Sequence, residues 1–337
     1  MRKLYLIATV VAISLVACNK KSDLVGNTDL SVSQNAPKNI MRFDSYEALS
    51  LEIDRSLERA SLPVMMRAKG ETNGFVSFGT LADMAYEDIA LMQDEYKSIE
   101  EVRAAVAKYP DYLQLIQDEN GEYEVVEILE NSSTRYIVNE DKMFQVQTDL
   151  VKTLDNYIVT TSVQNYKELL SVSERNIDSY RNNSEFTITD NFSLESSAPQ
   201  PNLGKDESFE QVKKMGGRDH RLRIKFYLEK YWADDNKNHK ELRMCITHHR
   251  KGKWNLIYWQ TKTNLNWNVS AMVWGLYYCD NVWLNSATSP YGTGTVYAWK
   301  HDIGIHKEMA MESNPVITKT RGYVKSDNGL YVNCDKY

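Results

Sequence analysis

Cysteine and histidine side chains around position 247 are the first candidates for chemistry, because thiolate and imidazole groups are the usual ligands of zinc. Cys245, His248 and His249 lie close together in the sequence. Successive side chains of an extended strand point to opposite faces, so His248 points away from the other two. We therefore expect no metal site here and interpret the histidines as exposed side chains.

Other histidine and acidic residues farther along the chain are candidates for catalysis. His301, His306 and Glu308 lack the i, i+4 spacing of the helical zinc-protease motif, and the sequence contains no Gly-x-Ser-x-Gly elbow and no Walker loop. A glycan hydrolase needs two facing carboxylates, and the candidates for that role are Asp280, Asp302, Glu308 and Glu312. The sequence predicts no catalytic residue, no metal and no cofactor, and it favours a protein that is not an enzyme.

Tryptophan offers a different kind of site, because flat rings exposed on a β-sheet can stack against sugars. The candidate ligand-binding residues are Trp254, Trp259, Trp267, Trp283 and Trp299. The alternative is that most of these rings belong to a core. Basic residues at 218–223 and 250–253 accompany them, a combination that is also typical of grooves for single-stranded nucleic acid.

The amino terminus predicts the compartment. Arg2 and Lys3 precede an apolar run, 4–17, that would span roughly 20 Å as a helix, shorter than the roughly 30 Å hydrocarbon core of a bilayer. Its end, Leu15-Val16-Ala17-Cys18, resembles the lipobox of Bacteroidota-type lipoproteins of an uncharacterised family. The resemblance implies removal of the signal peptide 1–17 and attachment of lipid to Cys18. The alternative is an ordinary secretory signal with a chance cysteine.

The segment 18–40 is polar and is predicted to be a lipidated, flexible tether. In the lipoproteins that it resembles, a charged stretch after the cysteine can direct export to the outer face. Here Lys20 and Lys21 precede a lone Asp23, which departs from the usual acidic pattern. We predict a location in the outer membrane, with the cell surface favoured over the periplasmic face. Nucleic acid is not expected there as a partner, whereas anionic glycans are.

The remaining chain has an acidic amino-terminal part and a basic carboxy-terminal part. Residues 41–150 carry 23 acidic and 10 basic side chains, a net of about -13, whereas 218–337 carry 11 acidic and 18 basic ones, a net of about +7. All seven Trp and all six His lie beyond residue 217. We therefore predict two units with separate cores, 41–172 and 218–337, joined by a linker at 173–217. The acidic first unit is itself a possible partner of the basic clusters.

The fold class predicted from these patterns is α+β, with a helical amino-terminal unit that carries a small antiparallel sheet. Asp44 with Glu47, and Ser98 with Glu101, have the spacing of capping boxes that begin helices. The apolar stripes of the helices, which include Met84 and Met92, are predicted to be core. Short strands are expected at Tyr123–Leu129, Arg135–Val138, Met143–Val146 and around Asp155.

The carboxy-terminal unit is predicted to be mostly β, as an antiparallel, sandwich-like domain. Alternating segments flank the turn Arg250-Lys251-Gly252-Lys253, which indicates a hairpin. Cys245, Cys279 and Cys334 fall on predicted strands, and an exported protein can keep disulfides. A bridge between Cys279 and Cys334 is one possibility, and three buried free thiols are the other.

Three functions from different classes fit these features. The first is a non-catalytic binding or adhesion lipoprotein, anchored to the membrane through Cys18, whose β domain contacts a glycan or a protein. The second is an extracellular polymer-degrading hydrolase. The third is a structural component of an outer-membrane complex, which should expose an apolar patch on its first unit. The oligomeric state does not follow from the sequence.

Overall fold

The structure is a computed structural model that describes residues 39–60, 75–118, 120–130, 132–190, 206–231, 239–261, 263–276, 282–285, 292–295 and 300–335. The signal peptide and tether, with Cys18, lie outside these ranges. All described residues belong to one compact unit, Asn35–Tyr337. Helices and sheets are both present, so the α+β class is confirmed.

The helices are α1 (Tyr46–Ala60), α2 (Phe78–Ala90), α3 (Ile99–Val106), α4 (Tyr166–Ser171) and α5 (Ile177–Tyr180), with short 3-10 helices at Ser133–Tyr136 and Val163–Asn165. Serine hydroxyls begin two of them. Ser77 Oγ accepts a hydrogen bond from the Thr80 amide at 3.2 Å, and Ser98 Oγ accepts one from the Glu101 amide at 3.3 Å. The predicted cap at Ser98 is confirmed.

Sixteen strands are described: β1 (Arg42–Phe43), β2 (Leu113–Gln117), β3 (Tyr123–Glu127), β4 (Met143–Val146), β5 (Asp149–Thr153), β6 (Tyr157–Ser162), β7 (Thr187–Asp190), β8 (Asp206–Met215), β9 (Arg218–Tyr231), β10 (His239–Lys251), β11 (Ile257–Gln260), β12 (Asn264–Leu276), β13 (Val282–Asn285), β14 (Gly292–Thr295), β15 (Lys300–Ser326) and β16 (Tyr331–Asn333). One sheet has the order β1-β4-β5-β6-β7. A second, larger sheet includes β13-β12-β15-β10-β11-β3-β2, with β9 and β8 on the other edge of β10.

The larger sheet joins the two predicted units. β11 pairs in parallel with β3, with Ile257 opposite Tyr123 and Tyr258 opposite Glu124. One core cluster contains Tyr86 and Val125 from the first half together with Ile257 and Trp259 from the second. The prediction of two units with separate cores is therefore wrong, because strands from both halves share a sheet and a core.

The pairing of strand β10 explains how strands from both halves of the chain share one sheet. One of its edges pairs with β9 along the strand, whereas the other pairs with β15 as far as Thr247 and then with β11 from His249. The even-numbered side chains Met244 and Ile246 enter a core with residues of β9, β12, β15 and β16. The odd-numbered side chains therefore face the opposite side, where the amino-terminal half lies.

Two local predictions need correction. The segment Arg135–Val138 is not a strand, because Ser132 Oγ accepts from the Thr134 amide and begins the 3-10 helix at Ser133–Tyr136. The described parts of the predicted linker, 173–190 and 206–217, are also structured: Phe186 is buried in a core, and β7 and β8 pair with β6 and β9. The hairpin predicted around Gly252 is confirmed by the antiparallel pairing of β10 with β11.

Candidate functional site

A buried cluster of charges lies where β3 meets β9 and β10. Glu124 contacts the guanidinium of Arg221, lies 3.2 Å from Arg223 Nη1, and has its Oε1 atom 2.8 Å from His249 Nε2. Asp118 adds a second carboxylate 3.5 Å from Arg221. Glu124, Arg221 and His249 are each at most 3% exposed. The basic residues predicted as a ligand surface thus bind the acidic half of the same chain.

The cluster has a defined protonation state at neutral pH. Burial alone would raise the pKa of Glu124, but His249, Arg221 and Arg223 reverse this effect and lower it below its usual range. Burial lowers the pKa of His249, against the opposing effect of Glu124. Glu124 is therefore ionised at pH 7, and Asp118 and Glu210 share with it the charges of Arg221 and Arg223.

A second buried cluster lies in the amino-terminal half. Arg135 Nη2 donates to Asp83 Oδ1 at 2.9 Å and also to Glu127. The Tyr136 hydroxyl lies 3.1 Å from Asp83 Oδ2. Burial raises the pKa of Glu127, Arg135 opposes that rise, and the adjacent Asp83 carboxyl adds to it. One arginine does not balance two buried carboxylates, so this pair retains one proton at neutral pH.

Within each cluster the charged side chains are buried and pair with one another, which is typical of contacts that stabilise a fold. Among the described residues no group of three or more His, Cys, Asp and Glu could hold a metal ion. Of the carboxylates considered for hydrolysis, Asp280 lies outside the described residues, and only the backbone is described at Asp302, Glu308 and Glu312. The same holds for His301 and His306.

The exposed candidate surface is formed by two turns that touch. Arg218 donates to both carboxylate oxygens of Asp94, at 2.8 and 3.2 Å. The Lys253 amide donates to Asp94 Oδ1 at 2.9 Å. Gly252 is packed so closely that a Cβ atom there would lie 2.6 Å from the Gln93 carbonyl oxygen. The turn after α2 and the β10–β11 turn are therefore held together.

Large apolar side chains project from both turns. Leu91 is 82% exposed, Met92 is 50% exposed and Trp254 is 49% exposed. Lys253 Nζ lies 5.8 Å from the centre of the Trp254 ring. We call Leu91, Met92, Lys253 and Trp254 the Trp254 rim. Its exposure makes it the candidate binding surface of the described chain.

Two of the predicted ligand-binding tryptophans are instead core residues. Trp259 is 1% exposed and lies between Tyr96, stacked at 5.8 Å, and Tyr86, edge-on at 6.2 Å. Trp267 is 5% exposed in the core of the carboxy-terminal strands. For Trp259 and Trp267, the alternative prediction that the rings belong to a core is confirmed. Only the backbone is described at Trp283, and Trp299 lies outside the described residues.

The sequence did not identify Leu91 and Met92. Met92 and Met84 belong to the apolar stripe of α2 that we expected to be core, yet Met84 is 41% exposed. Helix α2 ends at Ala90, so the periodicity no longer determines where the next side chains point. The available signal was the continuation of apolar residues past the end of the helix.

The prediction that the histidines are exposed is wrong for His248 and His249, which are 4% and 1% exposed. They do point to opposite faces, as the strand pattern predicts. The Asn328 amide lies 2.8 Å from His248 Nε2, and Thr261 Oγ1 lies 2.7 Å from its Nδ1. Burial lowers the pKa of His248 to about 4, so this ring is a neutral bridge between strands.

The cysteine predictions are tested only in part. Cys334 is a buried free thiol in the structure, and burial raises its pKa to about 12. The structure therefore does not contain the predicted bridge between Cys279 and Cys334, and Cys279 itself lies outside the described residues. Cys245 is buried as well. In the described part of the chain, no helix has the length and apolar character needed to cross a membrane.

Comparison with known proteins shows little similarity. No protein-family model matches this chain, and no curated protein matches it. The crystal structure of a DUF4848 family protein from Bacteroides thetaiotaomicron is similar over 87% of this chain and 93% of that chain, with 10% identity and a TM-score of 0.29. No function follows from a similarity at this level.

Proposed function

We propose that this chain is an exported lipoprotein that acts as a non-catalytic binding or adhesion protein. Lipid on Cys18 holds it in the outer membrane, and the folded unit faces the cell surface. The observation that carries the binding function is the exposure of Leu91, Met92 and Trp254 together on two abutting turns. The sandwich-like arrangement expected for the carboxy-terminal strands is part of this proposal, and it is supported by the core that β9 and β10 share with β12, β15 and β16.

The composition of the Trp254 rim favours a protein partner over a glycan at this surface. Exposed apolar patches mark interaction sites, and Trp and Met are enriched at the centres of protein interfaces. Leu91 and Met92 have no flat ring to stack on a sugar. The rim is held in place by Arg218, Asp94 and Gly252, so a partner would bind a surface that is already formed.

Photocrosslinking tests this surface directly. A photoreactive phenylalanine replaces Trp254 in the full chain in its native cells, and we expect one defined protein adduct, identified by mass spectrometry. A second substitution, Leu91→Asp, should reduce the adduct about tenfold or more, because the loss of one interface anchor commonly costs 1.4 kcal/mol or more.

The matched control places the same photoreactive group at Arg181. This side chain is 44% exposed, pairs with the exposed Asp178 and lies over the Tyr157 ring of β6, which is not part of the two turns. The same adduct at both positions, or no adduct at position 254, would contradict the proposal. An adduct with carbohydrate at position 254 would make the rim a glycan site.

The anchor is tested separately by Cys18→Ser. We expect this variant to carry no acyl lipid and to keep the signal peptide 1–17, because the lipobox route uses the thiol for lipid attachment before cleavage. Mass spectrometry of the amino-terminal peptide measures both. Protease treatment of intact cells should degrade the wild-type protein, because we propose that it faces the cell surface. A wild-type amino terminus without lipid, or a Ser variant processed like the wild type, would contradict lipid anchoring.

A further inference from the structure

The outer face of the β15–β16 hairpin carries a pair of tyrosines that the sequence patterns did not single out. Along β16 the side chains alternate, with Val332 buried and Tyr331 exposed by 48%. The rings of Tyr331 and Tyr323 are stacked, with centroids 5.5 Å apart and planes at 19°. Asn333 is exposed on the same side of the strand. The hairpin thus presents flat rings and an amide on one sheet face.

Cations flank this pair. Lys325 is exposed and lies opposite Tyr331 in the hairpin register. Strand β8 lies alongside, because the Tyr331 amide donates to Gln211 Oε1 at 2.7 Å. Lys213 of that strand brings its Nζ atom to the β15–β16 turn, 3.9 Å from where a Cβ on Gly329 would lie.

The two lysines beside the tyrosine pair are not ion-paired, in contrast to four basic side chains elsewhere in the carboxy-terminal half, and the nearby Asp335 carboxylate accepts a hydrogen bond from the Gly322 amide. Arg218, Arg221, Arg223 and Lys251 are all paired with carboxylates. Within the described ranges, Lys213 and Lys325 have no carboxylate within ion-pair distance. Two ammonium groups without an ion-pair partner thus lie beside an exposed aromatic surface.

We propose that this tyrosine face is a binding site for an acidic glycan. The exposed side of the ring pair would stack on sugar rings, as flat aromatic surfaces do. Lys213 and Lys325 would bind the carboxylate or sulfate groups of the sugar, and the Asn333 amide would bind its hydroxyls. The site is separate from the Trp254 rim and does not depend on it.

Calorimetric titration of the purified full chain tests the proposal with three probes: a galacturonate hexamer, a sulfated galactose hexamer and a neutral galactose hexamer. We expect at least one acidic hexamer to bind about tenfold or more tightly than the neutral one, and the tighter acid identifies the anionic group. This preference should diminish as the salt concentration rises, because exposed charges are screened. Equal binding of all three probes, or binding of none, would overturn the proposal.

Single substitutions test whether the glycan binds at the tyrosine face. Tyr331→Ala should weaken binding of the acidic hexamer about tenfold, Tyr331→Phe should preserve it, and Lys325→Gln should reduce the preference over the neutral hexamer. Tyr331 is exposed, so these variants should fold, and circular dichroism checks this. Trp254→Ala is the matched aromatic control and should leave glycan binding unchanged, which separates this proposal from the protein-binding function. Loss of glycan binding in Trp254→Ala with retention in Tyr331→Ala would overturn it.

Discussion

Replacing Glu124 by Gln should lower the free energy of unfolding by about 3–5 kcal/mol, because it leaves buried cations without their principal counter-charge. Arg221 is 1% exposed and sits 4.1 Å from the centre of the Tyr258 ring, a position that it cannot leave without unpacking the contact. Asp118, at 3.5 Å, would be its remaining carboxylate. Urea unfolding monitored by tryptophan fluorescence measures the change.

The control for this experiment is Asp178→Asn. Asp178 pairs with Arg181 at 3.0 Å, but the two side chains are 90% and 44% exposed. Exposed pairs contribute little, so the change should stay within about 0.5 kcal/mol. A Glu124→Gln variant as stable as this control would show that the buried cluster does not hold the two halves of the chain together.

As the pH rises from 6.5 to 8, the carboxyl pair Asp83 and Glu127 should make the wild type lose stability relative to a Glu127→Gln variant. Burial raises the pKa of Glu127 to about 8 in the folded protein, whereas an unfolded Glu titrates near 4.3. Between these values the folded state holds a proton that the unfolded state has lost, so a higher pH favours unfolding. The slope is about 1.4 kcal/mol per pH unit well below pH 8 and half of that at pH 8, so the expected loss relative to the variant is about 1.7 kcal/mol.

The histidines oppose this effect in the wild type. Burial lowers the pKa values of His248 and His249 in the folded protein, whereas an unfolded His titrates near 6.5, so each of these rings raises stability by up to about 0.4 kcal/mol from pH 6.5 to 8. Glu127→Gln removes the titrating carboxyl, keeps a side chain of similar size beside Arg135 and leaves the histidines in place. The unfolding free energy of the wild type should therefore fall relative to that of the variant, and equal slopes for the two proteins would refute the assignment to this carboxyl pair.

Several elements follow from local chemistry and were predictable. Ser98 begins α3 because a hydroxyl at that position accepts from a free amide of the first turn, and the hairpin at Gly252 follows from strand alternation on both sides of a turn. The buried His248 and His249 were not predictable. A strand with alternating polar residues is normally solvated on its polar side, and only a second chain segment lying over that side can bury them.

For the Trp254 rim as well, local sequence patterns did not show which side chains would be exposed. The sequence indicated aromatic and basic residues in the carboxy-terminal third, but composition does not distinguish a ring in a core from a ring on a surface. Trp259 stacks on Tyr96 and is buried, whereas Trp254, five positions earlier, is exposed on a turn. The difference depends on where the helices of the other half pack, which involves contacts distant in sequence.

By itself, the sequence determined the α+β class, most of the strands and the acidic and basic halves of the chain, because these depend on periodicity and composition. It also predicts the lipid anchor at Cys18, which lies outside the described residues. The tertiary structure decided that the two halves share a sheet through β3 and β11, that Glu124 neutralises the arginines, and that Leu91, Met92, Trp254 and Tyr331 are exposed. Burial and charge pairing are properties of contacts between distant segments, and local patterns do not encode which segments meet.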